Sequence, residues 1–536
     1  MSADLEIDTG SGRVVGAHVV AARAADGSAM GASVAAAHAA ATPVAAAGAL
    51  PVRRWLGIPY AAAPVGALRW RPPAPCAPWT GVRAALTYGA DFPQAPSPIL
   101  RAGRMSEDCL YLNIWSPADA APGSLPVMVW VHGGGFVGGS GADARTEGHL
   151  LAARGVVVVS FNYRSGLFGW LAHPGLSAEG EQQDGARTSG NYGLLDQLAA
   201  LQWVRQNIAA FGGDAARITA FGVSAGSASI ALMLTMPAAA GLFQRAILHS
   251  PGCGRPLASL AQAEDAAVAA LGSDLDALRA LDASTLLART PRINPAVRGL
   301  TTPRVLRPIR DGHFVPDEER QVLLAARQRR MPLIVGTNAD EGSQLTLAWP
   351  VPDAAAARAL LEANFTPAPA RERALALYGP ASEHDARASV ASAFADTQFN
   401  GGARLLLRAM ARVEPRCHGY RFTRRRPGRV DGPHHGDEAA YVFGHLAVGR
   451  TAEAQPYDAQ DVAVSEAMAA AWVAFAKGDD LEAAGTLATP WPCYDLADER
   501  WLEFGDTLAP VRNPHDERLD FLDRYLDGGM PATTLG

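Results

Sequence analysis

Ile218-Thr219-Ala220-Phe221-Gly222-Val223-Ser224-Ala225-Gly226-Ser227-Ala228-Ser229-Ile230-Ala231-Leu232 reads as an apolar strand, a sharp turn and the start of a helix. Glycines on both sides of Ser224 leave room where any Cβ would clash, so the serine sits on a tight, strained corner with its hydroxyl exposed above a sheet. A corner of that kind presents a nucleophile. Taken alone, the pentapeptide suits an ordinary structural turn equally well, because a chain rich in Gly and Ala produces the GxSxG spacing by chance.

Upstream, the apolar run 127–131 ends in His132-Gly133-Gly134-Gly135-Phe136. Successive glycines after a strand free backbone N–H groups to point into a cavity, and donors fixed before charge develops stabilise an oxyanion. The amides of Gly134 and Gly135 supply two donors, and that of Ala225, the residue after the serine, supplies a third. The alternative for this stretch is a flexible glycine turn. Both motifs occurring in this order favour the chemical reading.

The chain has 536 residues, a formal net charge of -6 and 19% charged residues. Length alone suggests about two to four domains, but the motifs argue for a single catalytic domain over 1–536. Basic charge is almost all arginine, Lys477 being the only lysine, and no polybasic face for nucleic acid or an anionic membrane is implied. No apolar run reaches spanning length. Residues 1–8 are acidic and lack the regions of a secretory signal. Cys76, Cys109, Cys253, Cys417 and Cys493 are odd in number and widely spaced, which suggests neither a zinc site nor a disulfide framework. A cytoplasmic protein is the simplest expectation.

Apolar runs at 127–131, 156–161, 218–222, 246–249 and 333–336 read as strands, with helical patterns between several of them. The clearest helix is 194–210, where Leu195, Leu198, Leu201, Val204 and Ile208 recur at helical spacing. Apolar strands alternating with helices predict an α/β fold with a large, mostly parallel sheet covered on both faces. Residues 12–20 read as an early strand pair, and 21–50 as a mobile Ala-rich insertion or loose hairpin. Residues 257–300 and 351–413 read as helical excursions walling the site. Trp491-Pro492-Cys493-Tyr494-Asp495 and Trp501-Leu502-Glu503-Phe504-Gly505 read as a last strand pair before a C-terminal helix.

A serine hydroxyl needs a histidine to take its proton and a carboxylate to orient that histidine. Leu333-Ile334-Val335-Gly336-Thr337-Asn338-Ala339-Asp340-Glu341-Gly342-Ser343 puts two carboxylates just beyond a buried strand, and Pro433-His434-His435-Gly436-Asp437-Glu438 sits in a later loop. On the residues alone, Asp340 or Glu341 is the acid and His434 or His435 the base. Adjacent loop histidines rarely converge on one metal ion without further ligands, so no metal is expected.

From about residue 52 to its C-terminus the chain resembles the type-B carboxylesterase and cholinesterase family of α/β-hydrolases. Besides the two glycine motifs, the resemblance rests on Leu56-Gly57-Ile58-Pro59-Tyr60-Ala61, Ser106-Glu107-Asp108-Cys109-Leu110-Tyr111-Leu112-Asn113, Phe161-Asn162-Tyr163-Arg164, Gly190-Asn191-Tyr192-Gly193-Leu194-Leu195-Asp196-Gln197 and Phe211-Gly212-Gly213-Asp214. It implies an α/β-hydrolase fold with helical excursions around an active-site gorge. It also implies a serine carboxylesterase that cleaves a small-molecule ester through an acyl-enzyme and requires no cofactor. Position by position, Ser224 is then the nucleophile, Glu341 the acid, His435 the base, and Gly134, Gly135 and Ala225 the oxyanion hole. An amidase or transacylase would use the same triad. Cholinesterase-like binding proteins typically lose a triad member, whereas all three remain here. The sequence leaves the natural ester and the oligomeric state open.

Against the family pattern, Val223 stands where Glu commonly precedes the nucleophile, removing a buried negative charge near the forming imidazolium. The upstream cysteine that secreted relatives pair with the one matching Cys109 falls on Phe92, which leaves Cys109 a free thiol. The Trp of the choline-binding branch falls on Ile99, which offers a cation no π face. Arg304, Arg307 and Arg310, and later Arg424, Arg425, Arg426 and Arg429, form either two solvated loops or a site mouth that attracts carboxylate-bearing esters.

Overall fold

The computed structural model describes residues 5–21, 50–297, 299–429, 431–448, 456–512 and 516–528. The strands among them are β1 (Glu6–Thr9), β2 (Gly12–Val15), β3 (Ala17–Ala21), β4 (Leu50–Pro59), β5 (Val82–Ala84), β6 (Tyr111–Pro117), β7 (Leu125–Val131), β8 (Val157–Phe161), β9 (Gly213–Val223), β10 (Arg245–His249), β11 (Leu333–Asn338), β12 (Cys417–Phe422), β13 (Arg500–Phe504) and β14 (Leu508–Arg512). Strands β1, β2 and β5 form a small sheet, and the others an 11-stranded sheet in the order β14-β13-β12-β11-β10-β9-β7-β8-β6-β4-β3. From β8 across to β13 neighbouring strands run parallel, and antiparallel strands close both edges.

Alternation along the strands divides their side chains between two cores. Val127, Val129 and Val131 of β7 pack with Ile218 of β9, Leu333 of β11, Leu198 of the helix Tyr192–Asn207 and Ile230 of the helix Ala225–Met233. Met128 and Trp130 point the other way, with Phe221, Ile247 and Ile334, against Met468, Trp472 and Phe475 of the helix Ala459–Lys477. Burial on both faces explains why these strands are apolar at nearly every position. Truncating a wholly buried side chain such as Trp472 to Ala would cost about 3–5 kcal/mol.

Three expectations are corrected. Residues 12–20 hold two strands, but they do not pair: β2 joins the small sheet, β3 pairs with β4 in the large one, and Gly16 lies between them. The last strand pair is β13 with β14. Residues 491–495 form no strand; Pro492 offers no N–H, and the segment is pegged to β12 by Trp491 Nε1–H donating to the Gly419 carbonyl at 2.9 Å. The helix expected at 194–210 is Tyr192–Asn207, followed by a tighter turn, Ile208–Phe211. Of the insertion expected at 21–50, residues 22–49 lie outside the described residues.

The long connections 250–332 and 339–416 carry helices, among them Leu260–Leu271, Ala354–Asn364 and Gly401–Ala411. They leave and re-enter the sheet beside its middle strands. The loops at the C-terminal ends of β7, β9, β10, β11 and β12 thereby converge, which is where open α/β sheets bind ligands.

Candidate active site

Ser224 follows β9 with φ 57° and ψ −119°, and the helix Ala225–Met233 begins at the next residue. A positive φ at a non-glycine residue costs on the order of 1–3 kcal/mol. Here it is held by the Ser224 N–H donating to the His249 carbonyl at 2.9 Å and by the Ala228 N–H donating to the Ser224 carbonyl at 2.8 Å. A Cβ on Gly222 would lie 2.6 Å from the Val131 carbonyl oxygen, and one on Gly226 would overlap that oxygen and lie 2.6 Å from that of His132. Both glycines thus let the turn press against the end of β7.

In the loop that follows β7, Gly134 and Gly135 have φ of 117° and 62°, and a Cβ on Gly134 would overlap the Gly138 carbonyl. Gln94 pins the loop from outside: its Nε2 donates to the Gly139 carbonyl at 2.7 Å and its Oε1 accepts from the Gly139 N–H at 2.8 Å. His132 stacks on Tyr163 with ring centroids 4.2 Å apart, and the Tyr163 hydroxyl donates to the His132 carbonyl at 2.8 Å. Burial pushes the His132 pKa down to about 4, so its ring is a neutral packing element. No described residue accepts a hydrogen bond from the amides of Gly134, Gly135 or Ala225, and all three residues line the same cleft as Ser224.

His435 also lines that cleft. Its Nδ1 is hydrogen-bonded to Glu341 Oε2, and the other carboxylate oxygen accepts from the Ser250 hydroxyl at 2.5 Å and from the Asn338 N–H at 2.6 Å. Glu341 is 1% exposed, and these donors and the imidazole satisfy both of its carboxyl oxygens. With Nδ1 donating to the carboxylate, Nε2 carries the lone pair of a base, and it makes no hydrogen bond to a described residue. The imidazole stacks on Phe399 at 4.2 Å, which fixes its plane. Burial pushes the His435 pKa down, but the charge of Glu341 and the bond to it, with Glu438 and Asp437 nearby, outweigh this and hold it above the usual histidine value.

The rival acid and base are engaged elsewhere, partly with each other. Asp340 accepts from the Ser343 N–H at 3.0 Å and from its hydroxyl, and His434 Nε2 lies 3.6 Å from Asp340 and 3.0 Å from Asp431. Arg429 donates to His434 Nδ1. Among the described residues no group of three or more His, Cys, Asp or Glu is arranged to hold a metal ion.

Sequence reasoning missed Ser250, Asn338 and Glu438. Glu438 opens the helix Glu438–Phe443, is wholly buried, accepts from the Asn338 side chain and lies 3.4 Å from His249 Nδ1. The Trp472 indole N–H donates to His249 Nε2 at 2.9 Å, which directs the His249 proton to the Glu438 side. Burial pushes the Glu438 pKa up, but His249, Asn338 and His435 outweigh it and hold it below the usual carboxylate range. The negative charge missing at Val223 is therefore matched by one at Glu438. Its place three residues after His435 was the available signal.

The cleft has a volume of about 450 Å³, within the range of small-molecule sites. Ile99 lines it, together with Phe136, Trp349, Phe394 and Phe399, so the apolar wall includes aromatic rings that the comparison at Ile99 did not anticipate. Of the two arginine-rich stretches, only the first reaches the cleft, through Arg304 and Arg307. Arg310 lies 4.0 Å from Glu318, and Arg424 pairs with Asp458 and Asp461. Arg425, Arg426 and Arg429 line a separate recess with Asp437 and Tyr441. All five cysteines are free thiols; Cys109 and Phe92 are both buried, and burial pushes the Cys109 pKa up.

Residues 42–522 match the model of the carboxylesterase family. The chain is 45% identical over 437 residues to the fumonisin B1 esterase of Sphingopyxis macrogoltabida, covering 79% of this chain and 78% of that protein. It is 35% identical over 491 residues to the para-nitrobenzyl esterase of Bacillus subtilis (strain 168), covering 87% and 94%. Solved structures of a PNB esterase and a thermophilic PNB esterase superpose with TM-scores of 0.77 and 0.78, at 32% identity, each covering 97% of this chain and 100% of theirs.

Proposed function

The chain belongs to the carboxylesterase family, has its α/β-hydrolase fold and hydrolyses carboxylic esters, and from that premise we propose that it does so through an acyl-enzyme on Ser224. In this reading Ser224 Oγ attacks the ester carbonyl while His435 Nε2 takes its proton. Glu341 holds the imidazole in the required tautomer and stabilises the imidazolium that forms. The amides of Gly134, Gly135 and Ala225 receive the oxyanion. His435 then protonates the departing alkoxide and activates the water that clears the acyl-enzyme. The observation that carries the reading is a histidine bound to a buried carboxylate through Nδ1, with Nε2 unbonded and lining the cleft that Ser224 also lines.

The substrate is proposed to be a small-molecule ester, as the names of the fumonisin B1 and para-nitrobenzyl esterases indicate for those relatives. The proposed arrangement is one catalytic domain. Among the described residues no helix is long and apolar enough to cross a membrane. Five thiols without a disulfide fit a reducing compartment, and the cytoplasm is the proposed location.

The test is covalent. A serine-directed organophosphate should add its mass to the peptide containing Ser224, and Ser224→Ala should lower kcat by at least about a thousandfold in a folded protein. Labelling at another residue, or a Ser224→Ala variant with most of its activity, would overturn the assignment.

A further inference from the structure

Behind the cleft, two wholly buried polar side chains have no part in the esterase reading: His249 at the end of β10, and Glu438 at the start of the helix Glu438–Phe443. The His249 ring is enclosed by Trp130, Tyr420 and Trp472, with centroids 5.8, 6.0 and 5.5 Å away. An apolar side chain would fill that space at no desolvation cost, whereas a buried imidazole needs polar partners. Its Nε2 accepts from the Trp472 indole N–H at 2.9 Å, which places the ring proton on Nδ1. Nδ1 and Glu438 Oε1 face each other at 3.4 Å, and neither makes a hydrogen bond to any other described residue.

The pair is fastened to the site from several sides. The His249 carbonyl accepts from the Ser224 N–H at 2.9 Å. The other Glu438 oxygen accepts from Asn338 Nδ2, which also donates to the His434 carbonyl at 2.6 Å, and the Asn338 backbone N–H donates to Glu341. Other charges near Glu438 are already engaged. Asp437 pairs with Arg429 at 3.1 Å, and Glu341 is bound by Ser250, Asn338 and His435. Arg145, in the turn Ala144–Thr146, feels Glu438 but is seated on Asp143 at 2.7 Å. Asp461, on the helix Ala459–Lys477 that packs behind, pairs with Arg424 at 2.8 Å, and burial keeps the Tyr420 hydroxyl un-ionised. Burial pushes the Glu438 pKa up; of the groups that bring it down, His249 acts most strongly, ahead of Asn338 and His435.

A carboxylate enclosed in the core and deprived of such a contact takes up a proton, and the charge it offers the base is gone. Resting on the esterase reading, we propose that His249 is a positioning residue: its Nδ1–H keeps the negative charge on Glu438, and that charge favours the imidazolium form of His435. Trp472 belongs to the same device, because its indole N–H fixes the His249 tautomer. An imidazolium forms each time His435 takes the Ser224 proton, so a charge that favours it lowers the barrier without tightening substrate binding.

The test follows His435 in two ways on the full chain: the pH dependence of kcat/KM for a neutral ester, and an NMR titration of the ¹⁵N-histidine-labelled protein, with the His435 signal assigned by its absence in His435→Gln. His249→Leu removes the donor to Glu438, whereas His249→Asn sets an amide N–H close to the place of Nδ1. Both leave the Trp472 indole without its acceptor, so a loss of packing is common to the two. His249→Leu should lower both midpoints by about half a pH unit or more and kcat about fivefold or more, with KM little changed. His249→Asn should bring the midpoints back toward the parent value. His249→Leu combined with Glu438→Gln should match Glu438→Gln alone, because the two residues act as one unit. That double variant strands no charge and reads the proposal even where His249→Leu alone does not fold. Parent midpoints by both measurements in a folded His249→Leu, a His249→Asn shifted as far as His249→Leu, or a double variant displaced beyond Glu438→Gln would overturn the proposal. A His435 signal that moves as expected beside an unmoved rate profile would instead remove His435 as the base and leave its coupling to His249 standing.

Discussion

Replacing Glu341 by Gln changes no volume and one charge, yet the hydrogen bonds around it decide which way the amide must face. Both donors on Oε1, the Ser250 hydroxyl at 2.5 Å and the Asn338 N–H at 2.6 Å, require an oxygen at that position. Turning the NH2 toward them would set a donor against a buried backbone donor, which costs about 1–3 kcal/mol, so the oxygen stays on that side. The NH2 must then face His435 Nδ1, which can meet it only with a lone pair. The ring proton moves to Nε2, and a nitrogen bearing a proton cannot take one from Ser224. The imidazolium also loses its counter-charge. Together these should lower kcat by about 10³- to 10⁴-fold, equivalent to about 4–5.5 kcal/mol of barrier, with little change in KM. Steady-state kinetics on a neutral ester, with circular dichroism to establish folding, measures this. Ser250→Ala should cost only about tenfold, because the Asn338 N–H still orients the carboxylate. A folded Glu341→Gln enzyme within tenfold of the parent kcat would refute both the tautomer argument and the role of Glu341.

As the proposed base, His435 must be neutral, so on that proposal kcat/KM should rise with pH through a midpoint above the ordinary histidine value, since the pull of Glu341 outweighs burial. Glu438→Gln removes a negative charge that favours the imidazolium, so that midpoint should move to lower pH; a pH–rate profile that stays put or moves upward would show that Glu438 does not act on His435. Gly226→Ala drives a Cβ into the Val131 carbonyl, a backbone atom with no freedom to retreat, and should destabilise the fold by about 1–3 kcal/mol or more. A urea midpoint equal to that of the parent would mean that the turn and β7 can separate at no cost.

What was legible in the sequence follows from how locally each feature is encoded. Strands β7 to β11 are apolar on both faces and announce themselves as continuous runs. By contrast, β4 carries Pro51, Arg53 and Arg54 and a register shift between Trp55 and Ile58, and β12 reads Cys417-His418-Gly419-Tyr420-Arg421-Phe422, so neither shows a strand's signature. The segment at Trp491 imitates a strand because its indole is buried and bonded to β12, although its backbone bond to β12, from the Tyr494 N–H to the Cys417 carbonyl at 2.6 Å, does not extend into a ladder. In the site, the turn at Ser224 and the glycines after His132 are short-range geometry and could be read directly. The choice between Asp340 and Glu341, or His434 and His435, rested on resemblance, because adjacent residues in a loop have no periodicity to separate them. Glu438 with His249, and the approach of Arg304 but not Arg424 to the cleft, depend on chain segments that meet only after folding.

The connection that carries Arg255, Arg304 and Arg307 leaves the sheet after His249 and returns at Leu333, and the parallel pairing of Ala246 with Leu333 through His249 with Gly336 fixes the separation of its two ends. Neighbouring strands lie about 4.8 Å apart and rise about 3.3 Å per residue, so His249 and Leu333, three residues out of register, are about 11 Å apart, and that span is the same whatever hangs between them. Closing a longer or shorter loop changes the entropy only slowly. Descent and laboratory libraries can therefore treat residues 251–332 as an exchangeable cassette: a new appetite can be inherited or transplanted there while the neighbouring strand ends go on performing the same bond cleavage.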